Sequence, residues 1–182
     1  MFDTERFVVD CRSALYETDG TKAVREVLAR AVSDPAAMLA ALGEPKRAGI
    51  NVIYCGEDVT ILNLVWGADM HVMPHDHRTW SLIGIYTGRE DNIFWRHRPD
   101  GRIEAAGARS LCVGDAFPMG RDIVHSVLNP LPRLTGAIHI YGGDFLHIER
   151  SSWDPENLTE RPYDTDRLRQ SFEESNRRMG LL

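Results

Sequence analysis

The sequence predicts a mostly β domain, built as a closed or sandwiched antiparallel sheet with helices before and after it in the chain. This prediction depends on a change of pattern. Apolar residues recur at spacings of three and four in the first part of the chain, and at every second position from Ile50 to Ile148. The length of 182 residues, 43% of them apolar, suffices for one domain with a full core. We therefore expect a single domain over residues 1–182.

Residues 1–46 are predicted to form helices that pack outside the sheet. Asp19-Gly20 breaks the helical pattern, and Asp34-Pro35 opens a third, short helix. The apolar positions that define the first two helices are Phe7, Val8, Cys11, Leu15, Val24, Val27, Leu28, Ala31 and Val32.

Residues 47–150 are predicted to form the sheet, because short segments rich in β-branched and aromatic residues alternate with turns of glycine, proline and aspartate. Gly88-Arg89-Glu90 is interpreted as one of these turns. Residues 151–182 are polar and are predicted to pack on the surface, with one helix near 166–178. The predicted strands cover residues 50–55, 59–66, 80–87, 92–97, 103–105, 116–118, 124–128 and 134–141.

Charge and hydropathy argue against two classes of partner. A net charge of -6 and a pI near 5.6 provide no basic surface for a nucleic acid. No segment reaches the roughly twenty apolar residues of a membrane span, and the acidic start of the chain is unlike a signal peptide. We therefore expect a cytoplasmic protein, monomeric or homodimeric, with no nucleic-acid or membrane partner. Cys11, Cys55 and Cys112 are predicted to be reduced, buried and structural, because they are odd in number and widely separated.

Two histidine motifs carry the predicted chemistry. His75 and His77 lie two apart, so that on a strand both imidazoles share one face. His125 follows in the pattern Pro118-x-Gly120-x4-His125, on a separate strand where two hairpins could converge. Three neutral imidazoles without cysteine suit a divalent first-row metal such as Fe(II), Zn(II), Ni(II) or Mn(II), with open positions left for substrate or water. A polar strand face is the alternative interpretation of the first motif alone.

These two motifs, set among short strands, resemble those of the cupin superfamily over residues 47–148. That resemblance implies a double-stranded β-helix barrel, a jelly roll, with the metal inside. The usual first cupin motif adds a glutamate where this chain has Ser81, so the ligand set would be three histidines. A set of this kind is typical of the thiol dioxygenases related to cysteine dioxygenase. Further segments that resemble this family, or a bacterial branch of predicted metal-dependent double-stranded β-helix enzymes, are Trp66-Gly67, 74–77, 75–96, 137–143 and 141–145.

The second resemblance implies a mononuclear Fe(II) enzyme that adds O2 to the sulfur of a small thiol and gives a sulfinate. It aims Tyr141 and His139 at the metal cavity, although an inward tyrosine can also be plain core packing. The serine that precedes this pair in the family is Ala137 here. The family's substrate-binding arginine is also missing, since this chain has Gly49-Ile50-Asn51 in its place. Arg47 is the candidate replacement, and the missing anchor predicts a preference away from cysteine.

Two other functions stay open at this point. One is a metal-dependent isomerase or hydrolase that uses zinc, manganese or nickel as a Lewis acid. The other is a small-ligand-binding protein without turnover. The pair of His139 and Tyr141 favours the dioxygenase, whereas the missing serine and arginine favour the alternatives.

Overall fold

The computed structural model describes residues 1–181, and the chain begins with three helices. Each is capped by an aspartate, Asp3, Asp19 or Asp34, whose side chain accepts a hydrogen bond from the backbone N–H three residues later. The predicted helices and the break at Asp19-Gly20 are confirmed. The helices are α1 (Thr4–Ala14), α2 (Gly20–Val32) and α3 (Pro35–Leu42).

Strands follow from residue 49 to residue 162, and every pair of neighbouring strands is antiparallel. A short 3-10 turn, Phe145–His147, and a final helix, α4 (Thr165–Arg178), complete the described elements. The strands are β1 (Gly49–Cys55), β2 (Val59–Trp66), β3 (His71–Asp76), β4 (Ser81–Thr87), β5 (Arg89–His97), β6 (Ile103–Cys112), β7 (Ala116–Met119), β8 (Val124–Leu128), β9 (Thr135–Gly142), β10 (Ser151–Trp153) and β11 (Glu160–Pro162).

The described strands form two sheets, in the orders β1-β2-β9-β4-β7 and β11-β10-β3-β8-β5-β6. From β2 to β9 the chain crosses between the sheets at each step, except that β5 and β6 are neighbours in one sheet. The two sets β2-β9-β4-β7 and β3-β8-β5-β6 therefore form a jelly roll, that is, a double-stranded β-helix. The predicted fold class, a mostly β jelly-roll barrel with N-terminal helices and a C-terminal helix, is confirmed.

The first sheet is covered on both faces, which explains why β2 and β9 are buried along their whole length. On the outer face, Leu28 and other residues of α1, α2 and α3 pack against Ile61 and Leu82. On the inner face, Leu62 and Leu64 contact the aromatic interior of the roll. The two alternating sets of side chains on β2 thus supply two separate cores, and the inner one surrounds the candidate site.

The structure differs from the sequence prediction at several places, and the strands β3, β10 and β11 lie outside the predicted strand ranges. β5 begins at Arg89, so Glu90 lies in a strand, and only Gly88, with a φ of +79°, has the geometry of a turn residue. β6 is longer than predicted and runs to Cys112. The tail does more than pack on the surface, because its strand β10 is buried and Ser152 pairs with His75.

The three cysteines are free thiols, as expected, but their predicted burial is wrong for two of them. Cys11 is buried in the helical core, whereas Cys55 and Cys112 are exposed at the ends of edge strands, where one side is open to solvent. Within residues 1–181, none of the helices combines the length and the apolar character that crossing a bilayer requires.

Candidate metal centre

Three histidine side chains converge inside the jelly roll. His75 on β3 lies directly opposite His125 on β8, and His77 follows the last residue of β3. One ring nitrogen from each residue lies within 4.8 Å of the other two, and the Nε2 atoms of His77 and His125 are 3.1 Å apart. All three residues are buried. The structure therefore brings together the residues that the sequence predicted as metal ligands.

Two of these rings have their protons positioned by neighbouring oxygens. The Nδ1 atom of His75 lies 2.9 Å from the backbone oxygen of Met73. The Nδ1 atom of His125 lies 2.7 Å from Oδ1 of Asn92. Because a carbonyl oxygen can only accept a hydrogen bond, each Nδ1 must carry the proton. In a neutral ring this leaves the Nε2 lone pair free to bind a metal ion.

The third ring, His77, is oriented by Ser81. The Nδ1 atom of His77 lies 3.0 Å from the serine hydroxyl, at the position where the usual cupin motif has a glutamate. A hydroxyl can accept from Nδ1 as the carbonyls do. Ser81 is fully buried at the start of β4. The residue that departs from the cupin pattern is therefore in place to support a ligand rather than to act as one.

The turn that carries His77 is held by an ion pair. Arg78, with a φ of +55°, places its Nε atom 2.6 Å from Oδ2 of Asp76. The other oxygen of Asp76 accepts from the backbone N–H of Ser151 at 2.8 Å. These contacts fasten β10 to the end of β3 and give His77 a defined orientation toward the other two histidines.

Burial keeps the three imidazoles neutral. It lowers the pKa of His75 to about 4, although the carbonyl of Met73 partly opposes this effect. Burial, together with the neighbouring histidines, lowers the pKa values of His77 and His125 well below the ordinary value. Neutral imidazoles are the form that binds metals. The cluster is thus compatible with a divalent first-row metal ion, for which Fe(II), Zn(II), Ni(II) and Mn(II) are all candidates.

Tyr141 lies directly against the cluster. Its ring centroid is 5.0 Å from that of His77 in an edge-to-face contact, and its face stacks on Phe145 at 3.7 Å. The ring centroid of Phe145 is itself 5.6 Å from that of His77. Its hydroxyl is 3.0 Å from Nδ1 of His139, which stands behind it on the same strand. Burial raises the pKa of Tyr141, so the hydroxyl keeps its proton. The structure therefore brings Tyr141 and His139 together as the sequence predicted, with only the tyrosine touching a candidate ligand.

Glu90 is a site residue that the sequence analysis missed. It is fully buried, and its Oε2 atom lies 3.1 Å from Nε2 of His139. Trp66 donates to the same oxygen at 2.6 Å, and Asn92 donates to Oε1 at 3.1 Å. Burial alone would raise the pKa of Glu90, but the charge of His139 and these three hydrogen bonds hold it below the ordinary value. Glu90 thus contacts the ring nitrogen of His139 opposite to the one that faces Tyr141.

Arg150 is the second residue that was missed. The central carbon of its guanidinium lies 4.3 Å from the ring centroid of Phe145 and 4.0 Å from that of Tyr163. Tyr163 in turn lies edge-on to His75, with ring centroids 5.6 Å apart. The Nε atom of Arg150 is buried and has no hydrogen-bond partner among the described residues. A guanidinium with an unused donor therefore stands beside the histidine cluster.

A cleft of about 1180 Å³ opens next to this arginine. Arg150 and Tyr163 line it, together with Arg78, Arg121 and Arg161, whereas Glu149 and Glu160 are its acidic members. Arg78 pairs with Asp76 and Glu160, and Arg161 pairs with Asp154. Arg121 and Arg150 have no ion-pair partner among the described residues of the cleft.

The structure does not bring Arg47, the predicted substrate anchor, to the cluster. Arg47 is exposed in the segment before β1 and lines a different cavity of about 680 Å³, beside α4. None of the three histidines lines that cavity, and none lines the cleft beside Arg150. Arg150 differs because it packs on Tyr163, whose ring contacts His75. Arg47 lies two residues before Gly49, the first residue of the edge strand β1.

No family model matches the chain. Among solved structures, an RmlC-like cupin with a double-stranded β-helix fold from Methanocaldococcus jannaschii aligns with 57% of this chain and 87% of its own, at 10% identity and a TM-score of 0.48. A protein from Bacillus halodurans aligns with 69% of this chain and 84% of its own, at 14% identity and a TM-score of 0.49. Oxalate decarboxylase from Bacillus subtilis, which has Mn(II) centres, aligns with 48% of this chain and 22% of its own, at 15% identity and a TM-score of 0.39. Similarities this weak carry no argument about substrate or metal, and the fold is defined by the strand order itself.

Proposed function

We propose that this protein is a mononuclear non-haem iron dioxygenase that adds O2 to the sulfur of a small thiol. The proposal depends on one observation, the convergence of three neutral, buried imidazoles with a protonated tyrosine hydroxyl beside them. The reaction converts R–SH and O2 to the sulfinic acid R–SO2H. Both oxygen atoms enter the product, so no external reductant is required.

An iron ion held by His75, His77 and His125 would supply the redox chemistry that joins dioxygen to sulfur. Three neutral ligands do not reduce the charge of a divalent ion, and this favours an anionic partner such as a thiolate. The absence of a carboxylate among the three ligands therefore supports an anionic substrate.

The protein side chains have distinct tasks in this proposal. Tyr141 keeps its proton. The hydroxyl can donate to an oxygen of the substrate or of dioxygen in the arrangement in which Nδ1 of His139 donates to the tyrosine oxygen. The stack of Tyr141 on Phe145 holds the ring against His77 and excludes water from that side. His139 contacts the tyrosine hydroxyl from behind and orients it.

Arg150 supports a narrower substrate class, thiols that carry a carboxylate. Its buried Nε donor has no partner among residues 1–181, and an unpaired buried donor costs free energy unless a ligand accepts from it. A carboxylate is the natural acceptor, because the planar guanidinium can hold both of its oxygens. The proposal replaces the expectation drawn from Gly49-Ile50-Asn51, and its support is the guanidinium of Arg150 that packs on Phe145 and Tyr163.

The test begins with metal analysis of the protein as isolated and after reconstitution with Fe(II). Oxygen consumption is then followed with cysteine, 3-mercaptopropionate and cysteamine, and the products are analysed by mass spectrometry. We expect a product heavier by two oxygen atoms, in an amount equal to the O2 consumed. Iron-loaded protein that consumes no oxygen with any of these thiols would refute the proposal and favour a Lewis-acid or binding function.

A further inference from the structure

The buried carboxylate of Glu90 connects His139, which contacts Tyr141, with Asn92, which contacts the candidate ligand His125. One oxygen accepts from His139, and the other accepts from Asn92, which contacts the candidate ligand His125. Glu90 is fully buried, and its ion-pair partner within the described chain is His139. Burying a carboxylate costs several kcal/mol unless its acceptors are satisfied. Three hydrogen bonds satisfy both oxygens here, and a neutral glutamine, with one oxygen and one NH2 group, could not accept on both sides.

The contact between Glu90 and Asn92 determines the direction in which the Asn92 amide points. Because the carboxylate of Glu90 only accepts, Asn92 must turn its NH2 group toward Glu90 and its Oδ1 atom toward His125. The Oδ1 atom then requires a proton on Nδ1 of His125. As a result, Nε2 of His125 has a free lone pair, 3.1 Å from Nε2 of His77.

The contact between Glu90 and His139 determines that Nε2 of His139 carries a proton. Oε2 of Glu90 accepts from Trp66 and can only accept from Nε2 of His139 as well, so this nitrogen carries a proton. The opposite ring nitrogen, Nδ1, faces the hydroxyl of Tyr141 at 3.0 Å. The position of the tyrosine hydroxyl is thereby connected to the same carboxylate that orients His125 through Asn92.

We propose that Glu90 is a positioning residue that sets the proton on Nε2 of His139 and, through Asn92, the proton on Nδ1 of His125. It does not touch substrate or metal, and it acts through these two histidines. The inference rests on the metal-binding part of the proposed function and is independent of the thiol.

The variant Glu90→Gln tests this because it keeps the shape and removes the ability to accept from three donors. If the glutamine oxygen accepts from Trp66 and His139, its NH2 group faces Asn92. Asn92 then turns its own oxygen toward the glutamine and its NH2 group toward His125. That arrangement favours the proton on Nε2 of His125, where it blocks the metal.

The measurement uses Zn(II) as the probe, in competition with a chelator of known affinity, on the metal-free full-length protein. We expect Glu90→Gln to weaken Zn(II) binding by about tenfold. Glu104→Gln, which removes the same charge from an ion pair on β6, is the matched control and should stay within about twofold. A decrease smaller than about fivefold in Glu90→Gln overturns the inference, whatever the effect on turnover.

A second measurement decides the question if Glu90→Gln does not fold. Long-range 1H–15N spectra of the Zn(II)-loaded wild-type protein, labelled at histidine, report which ring nitrogens carry protons. We expect a proton on Nε2 of His139 and on Nδ1 of His125. A bare Nε2 in His139 overturns the inference. If the wild-type protein binds no Zn(II), the proposed metal site is refuted. The same spectra of the metal-free protein then test separately whether Nε2 of His139 carries the proton that Glu90 is proposed to set.

Discussion

Arg150 provides the sharpest test of the proposed substrate class. The change Arg150→Gln removes the charge and the paired donors while it keeps a polar side chain in the same segment. The guanidinium contacts Phe145 and Tyr163, so the thermal midpoint and the metal content of the variant must be measured first. With both unchanged, any loss reports on substrate binding.

The size of the effect follows from the bond that is lost. A hydrogen bond between a guanidinium and a carboxylate contributes about 1.5–3 kcal/mol, because both partners are charged. Taking about 2 kcal/mol, and about 1.4 kcal/mol for each tenfold change in rate, kcat/KM should fall by about 30-fold. The value of about 30-fold is a lower estimate, because the Nε atom of Arg150 is buried and water competes weakly there.

The assay compares two thiols in the same variant. 3-Mercaptopropionate carries a carboxylate and cysteamine does not, so only the first should lose kcat/KM in Arg150→Gln. Arg121→Gln is the matched control, because Arg121 is exposed in the same cleft, and it should change kcat/KM by no more than about twofold at physiological salt. Equal losses with both thiols, or no loss with the carboxylated one, would refute the assignment of Arg150 as the anchor.

Three further predictions concern other parts of the chain. His77→Ala should lose most of the bound metal, because only two ligands remain; a full equivalent of iron by elemental analysis would contradict the assignment. Tyr141→Phe should keep fold and metal but lose about tenfold or more in kcat, and an unchanged kcat would leave the ring a packing role. Iodoacetamide at pH 8 should modify Cys55 and Cys112 in the native protein but not Cys11, since burial raises the pKa of the Cys11 thiol to about 12 and leaves almost no thiolate. Mass spectrometry counts the adducts, and urea should make all three reactive.

Local periodicity was sufficient to predict the fold and part of the candidate site. Each helix is indicated by apolar spacing and by an aspartate at its start, all within a few residues of the chain. The alternation along β2 and along β9 is local in the same way. The spacing of His75 and His77 and the motif around His125 are equally local. The sequence could therefore predict which three histidines converge, although their binding of a metal stays a prediction.

Residues whose environment comes from distant strands could not be predicted in this way. Arg89-Glu90-Asp91-Asn92 is as polar as a loop, yet it is a strand because it pairs with β6 and β8. Two of the three donors that satisfy Glu90 come from far along the chain. Trp66 lies 24 residues before Glu90 and His139 lies 49 residues after it. A buried carboxylate is stable only with such partners, and no pattern within β5 reveals them.

The same reason explains why the sequence analysis chose Arg47 and missed Arg150. Arg47 was the candidate because it lies two residues before Gly49, yet it lines a separate cavity. Arg150 follows a short turn in a polar segment and reaches the site only because the pairing of β10 with β3 brings that segment against His75. The sequence by itself determined the sheet, its helices and the three histidines through short-range periodicity. The tertiary structure decided which charged residues meet them, since a buried charge depends on partners that only long-range strand pairing supplies.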